Sequence, residues 1–187
     1  MIIDEALQLA QESGWSKVTV RAIAERLNYA PPVLYQHFEN KDHLTITLLE
    51  RGFNELHAML DVAEKSSENP SQKLLALGLA RFQFAHESRA LHSLMYSTDS
   101  PHWFKSKVAL GMCQTRESII ANLMAITGDR QKSQELFTHF VALIKGYTFF
   151  ATELPAETAC ERFFYHTDPK IALERALTLF LQSIEPQ

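Results

Sequence analysis

The sequence has little of what would mark an enzyme, a metalloprotein or a membrane protein. It holds two cysteines, Cys113 and Cys160, too far apart for any metal-binding spacing; they read as buried or half-buried thiols of a reducing compartment. Its six glycines build no phosphate-cradling loop, and neither a nucleophile elbow nor an HExxH pair occurs, so no catalytic residues are expected. Of the eight histidines, His37 and His43 stand six apart, as do His86 and His92, and His139 is alone on its helix; no two share a helix face at i, i+4, and neither a metal nor another cofactor is expected. No apolar run approaches the roughly 18–20 residues that a membrane span needs. The N-terminal MIIDEALQLA lacks a basic stretch and meets Asp4 and Glu5 at once, unlike a signal peptide. These absences leave a cytoplasmic protein that neither spans nor binds a membrane. No stretch alternates with period two, so no sheet is expected.

Positive charge is scarce too. The net charge is −4. Within residues 1–51, Lys17, Arg21, Arg26, Lys41 and Arg51 face Asp4, Glu5, Glu12, Glu25, Glu39, Asp42 and Glu50. Nucleic-acid binders usually carry a basic footprint. Any favourable charge here must be local.

What the chain does have is helix punctuation, in a composition (46% hydrophobic, 21% charged) ordinary for a globular protein. Gly14 ends a first helix. Thr19 is a good N-cap for a second, whose Val20, Ile23, Ala24 and Leu27 share one face. Asn28 tolerates the left-handed backbone of a tight turn. Pro31 and Pro32 fit only a first helical turn, so a short third helix begins there, and Asn40 caps a fourth. Asn69-Pro70, Ser100-Pro101 and Asp168-Pro169 each place a capping side chain before a proline, and Asp129 follows Gly128 as another cap. The expected architecture is all-α, with about nine helices near 3–13, 20–27, 31–37, 41–65, 70–87, 88–96, 101–126, 130–152 and 169–184.

Residues 19–41, TVRAIAERLNYAPPVLYQHFENK, are the most informative stretch. Two short helical patterns flank a four-residue break, the grammar of a helix-turn-helix, which lays its second helix in the DNA major groove. Leu34 and Phe38 are its expected core contacts, with Tyr35 and His37 facing away.

In this region the chain resembles the N-terminal DNA-binding domain of TetR-type transcriptional repressors. The matching residues are Gly14, Thr19, Arg21, Ile23, Ala24, Leu34, Tyr35, His37, Phe38, Asn40, Lys41 and Leu44. The resemblance implies a three-helix DNA-binding domain over 1–48 and a larger helical ligand-binding and dimerisation domain over 49–187. It further implies double-stranded DNA as partner, a palindromic operator and a small-molecule effector that shifts the two reading heads out of register. Tyr35 and His37 would then donate hydrogen bonds to phosphates, and Lys41 would meet a phosphate at the start of the fourth helix. Thr19 can cap its helix or offer its hydroxyl to a phosphate. Arg21 can reach a guanine edge or a phosphate, or remain a solvated surface residue.

The turn departs from the family pattern. It reads Asn28-Tyr29-Ala30 where a Gly-Val-Ser-like turn is usual, so Ala30 offers no hydroxyl. Pro31, Pro32 and Val33 leave few donors on the leading turn of the reading helix. Base reading there would lean on apolar contact with thymine methyls and on Gln36, which can pair with adenine. Only Met1 and Ile2 precede the first helix, where family members carry a basic arm. An all-α enzyme, or a dimeric ligand-binding protein of the same fold with weak or lost DNA binding, are the rival readings.

Two C-terminal helical stretches, 136–151 and 171–184, are apolar around most of their circumference. Such helices must be covered on several sides, which predicts a homodimer through the last two helices, against a monomeric core as the alternative. Phe82, Phe84, His86, Trp103, Phe104, Met112, Cys113, Arg116, Phe137, Phe140, Tyr147 and Phe150 are candidates to line an apolar ligand pocket, though any of them can equally be plain core.

Overall fold

The computed structural model describes residues 1–96, 102–155, 158 and 162–185, with the side chains of 102–114 excepted. Nine helices and no strand occur among the described residues: α1 (Ile2–Ser13), α2 (Val20–Arg26), α3 (Pro31–Tyr35), α4 (Lys41–Glu64), α5 (Pro70–Glu87), α6 (Arg89–Met95), α7 (His102–Thr127), α8 (Arg130–Thr152) and α9 (Pro169–Ile184). A 3₁₀ turn at Trp15–Lys17, not signalled by the sequence, links α1 to α2.

The helix ends follow the sequence signals. Gly14 takes φ 78°, a conformation open to glycine at little cost, and donates its N–H to the Ala10 carbonyl. The Thr19 hydroxyl accepts from Ala22 N–H at 3.0 Å. Asn40 Oδ1 accepts from His43 N–H, Asn69 Oδ1 from Gln72 N–H and Asp129 Oδ1 from Lys132 N–H. Asp168 Oδ1 serves both Lys170 and Ile171 N–H. Each bond satisfies a donor that the helix itself cannot. The expected cap Ser100, before Pro101, lies outside the described residues, as do the side chain of Cys113 and all of Cys160.

The chain forms two compact units, Met1–Glu55 with Ser88–Ser106, and Leu56–Glu87 with Lys107–Gln187. In the first, Ala6, Leu9 and Ala10 of α1 are buried with Ile23 and Ala24 of α2, Leu34 of α3 and Leu44, Leu48 and Leu49 of α4. Their i, i+3/i+4 spacing gives each helix one apolar stripe. Helix α6 packs on α1, and Trp15 Nε1–H donates to the Ala90 carbonyl at 3.1 Å. Salt bridges tie the first unit's helices together: Arg26 of α2 reaches both Glu5 and Glu12 of α1, while Arg51 of α4 reaches Asp4 of α1.

In the second unit α5, α8 and α9 pack against one another. They close on Gly78, where an added Cβ would stand 2.6 Å from Leu177 Cδ1 and 3.5 Å from Ile144 Cδ1 and Phe140 Cζ. The absence of a side chain at this position lets the three helices approach. Leu173, Leu177, Leu181 and Ile184 form the buried stripe of α9, and Phe140, Ile144 and Thr148 that of α8. The other faces stay uncovered within one chain: Phe149 on α8, and Ile171 and Leu179 on α9, are exposed.

Candidate nucleic-acid interface

Helices α2 and α3 present the candidate surface. Helix α2 is oriented by its buried Val20, Ile23 and Ala24, which leave Thr19 and Arg21 exposed. Between α2 and α3, Asn28 takes φ 56°, the left-handed conformation that its sequence position suggests. Tyr29 N–H then returns to the Ala24 carbonyl at 2.9 Å.

Helix α3 starts without a side-chain cap, because Ala30 at the N-cap has no acceptor. The two prolines that follow explain how this is tolerated. Neither carries an N–H, so two of the donors a helix start normally strands do not exist. The next, Val33 N–H, bonds the Ala30 carbonyl at 2.9 Å. The helix is shorter than expected: it ends at Tyr35, and His37 sits in the following turn with its N–H on the Leu34 carbonyl. Fully buried Leu34 and nearly buried Phe38 anchor the segment from below. Val33, Tyr35 (51% exposed), Gln36 and His37 consequently face solvent, with Pro32 exposed and Pro31 half-buried. Lys41 opens α4 and is exposed; the Phe38 and His43 rings form a T-shaped pair with centres 5.6 Å apart. The nine candidate DNA-contacting residues thus come from α2 and its N-cap, α3 and the turn after it, and the start of α4, and lie within one compact unit.

One partner on this surface was not singled out from the sequence. Arg21 Nε–H donates to Glu25 Oε1 at 2.9 Å, one turn along α2. The i, i+4 spacing was there to be read. By contrast, the engagement of Arg26 by Glu5 and Glu12 depends on how α1 packs on α2, which no local pattern encodes.

The pocket candidates are more scattered. Phe82, Phe84 and Phe140 are buried core. Phe82 stacks with His86, their ring centres 6.3 Å apart. Arg116 pairs with Glu117 at 2.7 Å and lies over the Phe137 ring, 5.5 Å from its centre. Tyr147 packs on Phe164, and Phe150 stacks on Phe163 at 4.2 Å. Trp103, Phe104 and Met112, like Cys113, have side chains outside the described residues.

The described residues are all-α, and the N-terminal unit presents a helix-turn-helix surface. Residues 2–48 match the family model described as bacterial regulatory proteins, tetR family. The chain is 37% identical over 73 residues to the HTH-type transcriptional repressor KstR of Mycolicibacterium smegmatis, a match covering 39% of this chain and 36% of that protein. The alignment therefore spans about a third of the relative's length. Among solved structures, the TetR family transcriptional regulator PfmR of Thermus thermophilus superposes with a TM-score of 0.73 at 17% identity, covering 100% of this chain and 96% of that one. The ketosteroid transcriptional regulator KstR2 of Mycobacterium tuberculosis gives 0.72 at 18% identity, covering 100% and 94%. Those two likenesses show a shared fold along the whole chain. The N-terminal segment 2–48 is thus similar to the DNA-binding part of TetR-family regulators, and the rest of the chain shares their fold.

Proposed function

We propose that the protein is a sequence-specific DNA-binding transcriptional regulator, acting in the cytoplasm as a homodimeric repressor. One observation carries this reading: Thr19, Arg21, Pro32, Val33, Tyr35, Gln36, His37 and Lys41 are all exposed on one unit while Val20, Ile23, Ala24, Leu34 and Phe38 between them are buried. In the proposed complex Tyr35, His37 and Lys41 bind phosphates and fix the register, and Thr19 can donate its hydroxyl while it accepts from Ala22. Arg21 and Gln36 read base edges, and Pro31, Pro32 and Val33 supply apolar contact with thymine methyls.

The exposed Phe149, Ile171 and Leu179 on α8 and α9 support a dimer through these helices. Two symmetric reading heads fit a palindromic operator. The helical part beyond residue 48 is the proposed seat of a small-molecule effector. Such a molecule releases DNA only if it binds the DNA-incompetent state more tightly.

A second reading has an observation of its own. Arg26 and Arg51 are engaged by carboxylates of α1, which reduces the charge available to DNA and favours a ligand-binding dimer with weak or lost DNA binding. Titration of a labelled duplex at increasing salt separates the two. The regulator reading expects affinity to fall steeply and log-linearly with salt as counterions are released. The absence of binding at low salt would favour the second reading.

A further inference from the structure

We propose that Glu25 restrains DNA binding by holding Arg21 along α2 in the free protein, so that Arg21 gives up a carboxylate before it reaches a phosphate or a base. This rests on the DNA-binding reading above and adds a residue that opposes it.

The pair has the properties of an exchangeable hold. Arg21 Nε and Glu25 Oε1 are 2.9 Å apart, and the two side chains are 78% and 62% exposed. An exposed i, i+4 pair contributes only a fraction of a kcal/mol. The arginine precedes the glutamate, the order that opposes the helix dipole, which weakens the pair further. A phosphate, or the hydrogen-bonding edge of a guanine, can therefore displace the carboxylate.

The contrast with Arg26 and Arg51 shows why the pair matters. Arg26 bridges from α2 to two carboxylates of α1, and Arg51 bridges from α4 to Asp4 of α1. Both join separate helices. The ion pair recorded for Arg21 stays within its own helix, so its release costs no packing between helices. Glu25 also occupies the same exposed side of α2 as Arg21. A duplex that meets Arg21 brings its phosphates towards the Glu25 carboxylate. Residues 1–51 already hold seven carboxylates against five cations, so this one negative charge weighs heavily on the local balance.

The test is binding of a labelled random-sequence duplex at low salt by four full-length proteins: wild type, Glu25→Gln, Arg21→Ala and the double variant. Glutamine keeps the length and helix propensity of glutamate. Glu25→Gln is expected to bind roughly two- to fivefold more tightly than wild type, the scale of one exposed ion pair plus one removed repulsion. In the Arg21→Ala background the gain should shrink, because the held partner is gone. An unchanged affinity for Glu25→Gln, or an equal gain in both backgrounds, would overturn the proposal. If none of the four folded proteins binds, the DNA-binding reading fails and this proposal with it, a result distinct from a wild type that binds and a Glu25→Gln variant that binds no better.

Discussion

Arg51 on α4 donates Nη1–H to the Asp4 carboxylate on α1 at 2.5 Å, across 47 positions of sequence. With the Met1 ammonium as the larger influence and Arg51 as the second, the Asp4 pKa is lowered from 3.8 to about 2. Glu12 is likewise depressed from its ordinary 4.5 by Arg26 and then Gln8. Folded-state values below the unfolded ones mean that the fold binds these protons less readily than the unfolded chain does. The stabilisation is therefore complete above the unfolded values and is lost as pH falls towards the folded ones. These groups should leave the melting temperature unchanged between pH 6 and 8 and lower it from about pH 4.5 downwards. Thermal melts of Asp4→Asn/Glu12→Gln against wild type test this: the variant should show a shallower acid decline. Both carboxylates are well exposed, so the effect is modest.

Gly78 gives a packing prediction. Leucine there would push into Leu177, Ile144 and Phe140, and such overpacking typically costs ~1–3 kcal/mol. Gly78→Leu should lower the melting temperature by several degrees, with its loss confined to stability if the first unit folds unchanged. A melting temperature equal to wild type would show that the α5–α8–α9 core has room the geometry does not reveal.

The Thr19 hydroxyl serves the cap and the proposed DNA contact together, so its variants test both. Thr19→Ala removes the acceptor for Ala22 N–H and is expected to cost about 1 kcal/mol of stability. Thr19→Ser keeps both the cap and a hydroxyl and should retain stability and DNA affinity alike. Denaturant melts alongside duplex titrations distinguish these outcomes.

The exposed face of α9 yields an assembly prediction. Leu179 is 68% exposed in the single chain. If α8 and α9 meet a second copy, Leu179→Glu buries a charge at that contact and should shift the protein from dimer to monomer in analytical ultracentrifugation. A dimer unaffected by the substitution would place the interface elsewhere.

The helices were legible in the sequence because their ends are chemical. Thr19, Asn40, Asn69, Asp129 and Asp168 all accept from the N–H groups two or three residues on, and Gly14 and Asn28 take the positive φ that their turns need. These are local bonds between near neighbours, which the chain spells out in order. The exposed run of α3 was legible for the same reason, since Leu34 and Phe38 fix which side faces in. The end of α3 was less so. The periodic pattern continues to His37, whereas the backbone tightens into a turn after Tyr35, where the Leu34 carbonyl takes both His37 and Phe38 N–H. The clamps of Arg26 and Arg51 were beyond reach, because a surface arginine looks alike in sequence whether it meets solvent, DNA or a carboxylate 47 residues away. The apolar character of 136–151 and 171–184 was plain; which of their side chains are buried and which stay open was not.

In the proposed function this chain reads DNA through α2, α3, the turn after it and the start of α4. Selection of bound duplexes from a random library tests it most directly, with Tyr35→Phe combined with Lys41→Ala as the control. The expected result is enrichment of one palindromic sequence by the wild type and its loss in the double variant. A folded wild-type protein that enriches no sequence at low salt would contradict it.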